Sequence, residues 1–203
     1  MSKWLESIVP NLEDPVQSKS ILSTLGVLLG LAIVGFSSSL SAQTEATNPP
    51  ADPADVESVD AIVAAVYDVI SGPVGQARDW NRWRSLFLPE ARIISVGRAQ
   101  DGSNRYRVMT SEDYVQGAGP GLEANGFFED EIGRTQEEFG PVVHLFSAYQ
   151  SKRAADDPEP FARGINSFQV MHDGSRWWVV TIFFTSERAD LPIPERYIKG
   201  GTR

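Results

Sequence analysis

Residues 161–186, FARGINSFQVMHDGSRWWVVTIFFTS, carry the pattern that decides the fold. Residues 161–172 and 176–186 both read as β-strands, and Asp173-Gly174 between them is a strong hairpin signal. Because side chains alternate along a strand, the second run has two apolar faces. One face is predicted to carry Trp178, Val180, Ile182 and Phe184, and the other Trp177, Val179 and Phe183.

A strand with two apolar faces needs a cover on each side of its sheet. Helices can supply one cover, and the sequence favours a second copy of the chain, a homodimer through the sheet, for the other. The alternative cover is the C-terminal segment 191–198, which contains several apolar residues.

The remaining chain predicts helices first and antiparallel strands afterwards, which indicates an α+β fold. Helices are expected over residues 56–70, capped by Asp55, and after Asp79, ending at Pro89, and Thr110 is expected to cap a short third helix. Further strands are expected at 92–96, 105–109, 127–138 and 142–151, and the glycine-rich residues 117–126 are expected to form a loop.

Composition excludes several classes of function. The 203 residues carry a net charge of −9, which argues against nucleic acid as the main partner. The absence of cysteine excludes disulfides, a thiol nucleophile and thiolate metal sites. Two histidines cannot build a three-histidine metal centre, and no motif indicates a cofactor.

The N-terminal part of the sequence indicates export. Residues 21–36 are uncharged and apolar, Lys19 precedes them, and small residues up to Ala42 follow, which is the layout of a signal peptide. An uncleaved membrane anchor, with the domain outside, is the alternative. The predicted organisation is a stub with signal or anchor (1–42), a Pro/Ala/Asp-rich tether (43–55), one domain (56–198) and a tail (199–203).

Several motifs resemble the NTF2-like superfamily, in its SnoaL-like, ketosteroid-isomerase-like branch. They are Trp83-x-x-Leu86-Phe87-x-Pro89-x-Ala91, Arg163-Gly164-Ile165-Asn166-Ser167 and Arg176-Trp177-Trp178. The resemblance covers residues 56–198. Within the superfamily, the sequence is similar to a bacterial exported subgroup of unknown function. It implies a cone, with helices packed in a curved antiparallel sheet that leaves a pocket. Since the superfamily holds both enzymes and binding modules, the fold does not choose between them.

The candidate catalytic residues are His144, Glu129 and Glu131. A histidine titrates near neutral pH and can act as a general acid or base, and it needs a carboxylate to orient it. Glu129 and Glu131 share a face of the preceding strand and are the expected partners. The alternatives are a hydrogen-bonded core histidine and an exposed acidic strand.

The candidate ligand-binding residues lie on a strand and on two helices. Arg163, Ser167 and Gln169 share one strand face, with Asn166 on the other, and Arg163 is expected either to clamp a ligand or to pair with Glu131. The candidates on the helices are Tyr67, Trp80 and Trp83. Tyr67 resembles the phenol that ketosteroid isomerases offer from their first helix, and all three can equally be core residues.

The preferred hypothesis is an exported NTF2-like domain that binds a small, largely apolar molecule in its cone, as a homodimer. The second is a cofactor-free lyase, isomerase or hydrolase that uses a His–carboxylate pair. The third is a structural or assembly module in which the pocket has no role.

Overall fold

The structure is a computed structural model that describes residues 48–198, and it confirms the α+β fold. The helices are α1 (Pro53–Val56), α2 (Val59–Ile70), α3 (Trp80–Leu86) and α4 (Ser111–Asn125). The strands are β1 (Phe87–Arg98), β2 (Asn104–Met109), β3 (Phe128–Phe139), β4 (Val142–Lys152), β5 (Ala162–His172) and β6 (Trp177–Ser186). A 3₁₀ turn, Glu195–Tyr197, follows β6.

The six strands form one sheet in the order β2-β1-β6-β5-β4-β3, in which only the β1–β6 pair is parallel. We call the face that packs against α2 the inner face and the opposite one the outer face. Alternate residues of β1, β4 and β5, such as Leu145 of β4 and Phe168 of β5, are buried on the inner face. The core therefore lies between the helices and this face, which is where an enclosed site can form.

The two-faced pattern predicted for β6 is partly wrong, because the strand contains a β-bulge. Gln169 of β5 pairs with Thr181 and Val170 pairs with Val179, so Val180 is an extra residue. A bulge reverses the alternation after it. Val179 and Ile182 consequently both point into the core, and simple alternation had placed them on opposite faces.

The first long helix begins later than predicted. Asp55 is not its cap: α1 ends at Val56, and α2 begins after Ser58, whose hydroxyl accepts a hydrogen bond from the amide of Ala61 at 3.0 Å. Asp55 instead pairs with Arg82 of α3 at 2.7 Å. The last residues of the predicted tether thus pack on the domain.

Removal of the Ser58 cap tests this start of α2. We expect Ser58→Ala to lower the free energy of unfolding by about 1 kcal/mol, because an amide of the first turn loses its acceptor. Urea unfolding measures the change, and Ser58→Asn, which keeps a capping oxygen, serves as the control. An equal loss in both variants would contradict the capping role.

Residues 117–125 are helical, so the loop predicted over 117–126 is wrong. Thr110 and Asp113 form a reciprocal capping box at the start of α4, and the helix continues through Pro120. A proline removes one hydrogen bond inside a helix, which is why the sequence predicts a break. Packing against α3 offsets this loss. A Cβ on Gly119 would lie 3.0 Å from the Trp80 ring, so glycine at this position lets α4 approach α3 closely.

The C-terminal segment 187–198 crosses the outer face of the sheet, and we call it the strap. The ring of Tyr197 stacks on Phe146 of β4, with centroids 5.4 Å apart. Tyr106, Val108 and Phe183 on the same face stay exposed. The C-terminal segment, which the sequence offered as the alternative to a second copy, thus covers part of this face. The homodimer stays a prediction.

The predicted signal peptide or anchor, residues 1–42, lies outside the described residues. Among the helices of residues 48–198, none is long and apolar enough to cross a membrane.

Candidate active site

Glu129 lies at the centre of a polar cluster on the inner face, near the start of β3. A short backbone pairing between Gly72 and Phe127 joins the end of α2 to this strand. Next to it, the amide of Glu129 donates a hydrogen bond to the Ser71 hydroxyl at 3.0 Å. These contacts position the Glu129 side chain under α2.

The carboxylate of Glu129 accepts two hydrogen bonds from neighbouring strands. The Ser151 hydroxyl donates at 2.8 Å and the Asn166 amide at 3.3 Å. The same Asn166 amide also donates to the Tyr67 hydroxyl at 3.1 Å. Tyr67 and the Ser147 hydroxyl lie 2.7 Å apart, so one network joins α2 to β3, β4 and β5.

The network continues from Ser147 to the edge of the sheet. The Ser147 hydroxyl donates to Glu131 at 2.6 Å, and Glu131 accepts from Arg134 at 2.8 Å. A β-bulge at Ile132 turns Glu131 and Arg134 to the same face. Arg134 also pairs with Asp60 of α2 at 2.9 Å, so one guanidinium is shared by two carboxylates at this end of the network.

Glu129 is half-buried, and desolvation of its carboxyl sets it apart from the other acids of residues 48–198. Desolvation raises the pKa of this carboxyl from 4.5 to about 7, although the hydrogen bonds from Ser151 and Asn166 oppose the change. Burial also raises the pKa of the Tyr67, Tyr114 and Tyr149 phenols, and the charge of Glu129 adds to the effect on each. The three phenols therefore stay protonated donors around a carboxyl that titrates near neutral pH.

A buried indole borders the same region. Trp83 is 2% exposed and stacks on Tyr114 at 4.7 Å. Its Nε1–H has no hydrogen-bond partner among residues 48–198. A buried donor without a partner costs free energy, and an acceptor on a bound molecule would remove that cost. The Trp83 N–H is therefore a candidate contact for a ligand.

The structure does not bring His144 together with Glu129 or Glu131. His144 lies on the outer face of β4, where its Nε2 contacts the Ser167 hydroxyl at 2.9 Å. Residues 147 and 151, which hold the two carboxylates, have the opposite parity on this strand and lie on the inner face. Sequence alternation shows which residues share a face, but it does not show which face meets the helices.

The expected ion pair between Arg163 and Glu131 is wrong. Arg163 lies on the outer face and pairs with Glu187 of the strap at 3.4 Å, while Glu131 pairs with Arg134. Ser167 and Gln169 are also on the outer face, and Gln169 is exposed.

The predicted residues on the helices all lie on the inner side of the sheet. Tyr67 belongs to the polar cluster, as described. Trp80 is partly buried and meets Trp83 edge-on, with ring centroids 6.3 Å apart. Both tryptophans pack in the core, and Trp83 has the additional free donor.

Sequence reasoning missed four polar residues that β4 and β5 contribute to the cluster. They are Ser147, Tyr149, Ser151 and Asn166. The three on β4 alternate at 147, 149 and 151, which is the signal of a shared strand face. No group of three or more His, Asp or Glu side chains suited to a metal ion occurs within residues 48–198.

Comparisons with known proteins give similar solved structures only. No protein-family model and no curated protein matches the chain. An NTF2-like protein of unknown function from Silicibacter pomeroyi is 14% identical, with 64% of this chain and 94% of that chain covered, at a TM-score of 0.43. An NTF2-like superfamily protein from Salmonella enterica is 11% identical, with 62% and 86% covered, at a TM-score of 0.44.

A protein with a cystatin-like fold from Nostoc punctiforme, of unknown function, is 11% identical, with 64% and 90% covered, at a TM-score of 0.48. The chain itself has the α+β fold predicted from its sequence, with helices on the inner face of a six-stranded mixed sheet. The branch and the exported subgroup stay predictions.

Proposed function

We propose that the inner face binds a small, largely apolar molecule whose one polar group meets Glu129. The observation that carries the proposal is the half-buried, desolvated Glu129 carboxyl beside phenol donors, one of which, Tyr114, stacks on the indole of Trp83 with its unpartnered N–H. Small-molecule sites in proteins are mostly apolar and contain a few convergent polar groups. Here buried apolar side chains of α2, α4 and β5 surround the polar cluster.

The matching ligand carries a hydroxyl or carbonyl group on a rigid apolar body. A hydroxyl can donate to the ionised Glu129 carboxylate, and a carbonyl can accept from the neutral carboxyl or from the Trp83 N–H. A charged ligand group fits poorly, because burial disfavours charge at this place.

Paired probes test the proposal. We expect 2-naphthol to bind at least tenfold more tightly than naphthalene, measured by fluorescence titration at pH 8. Glu129→Leu should remove this preference, because the hydroxyl then loses its charged acceptor. Glu138→Gln changes an exposed acid of the same strand and should leave the preference intact. Equal affinity of the two probes for the unmodified protein would refute the proposal.

Proton transfer at Glu129, without a cofactor, is the second candidate function. It is favoured by the raised pKa of about 7, since a general acid or base works best when its pKa lies near the working pH. The reaction that fits such a group is an isomerase or lyase step that moves a proton at a carbon next to a carbonyl. Glu129 then has the general acid or base role that the sequence predicted for His144.

Deuterium exchange at the α-carbons of 2-tetralone, followed by NMR, tests this second function. We expect exchange faster than in buffer, and at least a hundredfold slower exchange with Glu129→Gln. Exchange at the buffer rate with the unmodified protein would leave ligand binding alone as the proposed function.

We further propose export and a homodimer. Export is supported by the apolar segment 21–36 and the small residues after it. The homodimer is supported by Tyr106, Val108 and Phe183, which are 74%, 52% and 47% exposed on the outer face. Cell fractionation of the full chain tests the first, and sedimentation with a Val108→Glu variant tests the second.

A further inference from the structure

The strap is fixed to the sheet at its beginning. Glu187 accepts a hydrogen bond from the Ile193 amide at 2.8 Å and pairs with Arg163 of β5. Arg188 and Leu191 exchange two backbone hydrogen bonds, and Asp190 pairs with Arg98 of β1. These contacts hold the first residues of the strap over β1, β5 and β6.

The strap is fixed again at its end. Tyr197 stacks on Phe146, and the carbonyl oxygens of Tyr197 and Ile198 lie 2.5 Å from where a Cβ of Gly133 would be. Only a residue without a side chain permits this approach, so β3 is shaped to receive the strap. Pro192 and Pro194 stiffen the segment between the two attachments and cannot donate hydrogen bonds to the sheet.

A groove of about 270 Å³ lies between the strap and the outer face. Its floor includes Phe146, Ile165 and Phe183, and its roof is formed by strap residues. The roof residues are Leu191, Pro192, Ile193, Pro194 and Tyr197. Because both ends are fixed and the middle is stiff, the strap cannot settle onto the sheet to fill this space.

The charges near the groove are already matched. Glu187 pairs with Arg163, and the Ser167 hydroxyl contacts His144. The groove thus complements an uncharged, apolar occupant.

We propose that the groove under the strap binds an uncharged aliphatic chain. This site lies on the opposite side of the sheet from Glu129, and it does not depend on the function proposed above. The floor and roof contact the chain from both sides, and the polar end of an alcohol can reach Ser167 at the margin.

Calorimetric titration with 1-octanol tests the site in the full-length protein. We expect saturable binding of one molecule per chain, with 1-butanol at least tenfold weaker because it fills less of the groove. Saturating 2-naphthol should not change the octanol affinity, since the two probes have separate sites. Ile165→Trp fills the floor and should weaken octanol binding at least tenfold.

Val142→Trp is the matched control, because it adds the same ring to an exposed position of the outer face that does not line the groove. It should leave octanol binding unchanged. Tyr197→Ala provides an independent variant: loss of the stack on Phe146 frees one end of the strap and should also weaken binding at least tenfold. Absence of saturable binding, or unchanged binding in Ile165→Trp and Tyr197→Ala, would overturn the proposal. A change of oligomeric state in Ile165→Trp alone would also overturn it, because the outer face would then bind a second copy of the chain.

Discussion

Replacement of Glu129 by glutamine raises the free energy of unfolding by about 3 kcal/mol at pH 8 and leaves it nearly unchanged at pH 4. The unfolded chain loses this proton near pH 4.5, whereas the folded chain keeps it until about pH 7. Stability from the neutral carboxyl is fully present below pH 4.5 and is lost as the pH rises to 7. Each pH unit between these values costs about 1.4 kcal/mol.

Glutamine removes this pH dependence because it stays neutral and nearly isosteric. The Ser151 hydroxyl can rotate to accept from the new amide, so the local hydrogen bonds survive. Urea unfolding at several pH values between 4 and 8 measures the effect. Glu138→Gln, an exposed position on the same strand, should change stability by less than about 0.5 kcal/mol at any pH. Parallel pH profiles for the unmodified protein and Glu129→Gln would contradict the assignment.

The cost of an ionised Glu129 is informative about function. A purely structural position of this kind would be more stable with a neutral amide, so an acid here lowers the stability of the fold at neutral pH. Active and binding sites are where such groups concentrate. The ionisable group at this position therefore favours a role for Glu129 toward a bound molecule over a structural module without a site.

The strands of this fold are predictable from local sequence because their signals are local. The hairpin at Asp173-Gly174 and the alternation on either side place β5 and β6 within one residue of their observed bounds. Their side-chain directions are less predictable. The bulge at Val180 depends on pairing with β5, which the sequence of β6 alone does not show.

For α4, the local sequence predicts the wrong secondary structure. Its glycines and Pro120 are typical of a loop, but Gly119 is small because Trp80 packs against it. Propensity is a weak signal wherever tertiary contacts decide. The same holds for the site: Glu129 and Tyr67 were predicted, whereas Asn166, which joins them, becomes visible only when the strands are assembled.

Arg78 secures the loop on which the Glu129 site depends. It is 7% exposed, and its guanidinium donates to the carbonyl oxygens of Ile70 at 2.9 Å, Gly72 at 2.7 Å and Leu122 at 3.2 Å. It also donates to the Gln76 carbonyl. One side chain thus joins the end of α2, the following loop and α4.

Glycine is required at position 72 because of this arginine. A Cβ there would lie 2.6 Å from Nη1 of Arg78. Gly72 pairs with Phe127, two residues before Glu129, so Arg78 and the site share one stretch of backbone. Burial lowers the pKa of Arg78, and the charge of Glu123 opposes this, but an arginine remains charged in proteins.

We expect Arg78→Met to lower the free energy of unfolding by about 4 kcal/mol. Methionine fills much of the same volume but donates nothing, so buried carbonyl oxygens on three elements lose their partner at about 1–3 kcal/mol each, partly recovered by relaxation. Arg92→Met is the matched control: Arg92 is exposed and should cost less than about 0.5 kcal/mol.

Urea unfolding at pH 7 measures both variants, and amide hydrogen exchange locates the change. Protection should fall first at Gly72 and Phe127, because their backbone pairing loses its support. Water admitted by the loosened loop would also solvate Glu129, so the pH dependence of stability should shrink in Arg78→Met. A loss equal to that of Arg92→Met would contradict the structural role of Arg78. An unchanged pH dependence with lower stability would separate Arg78 from the site and leave it a local support of α4.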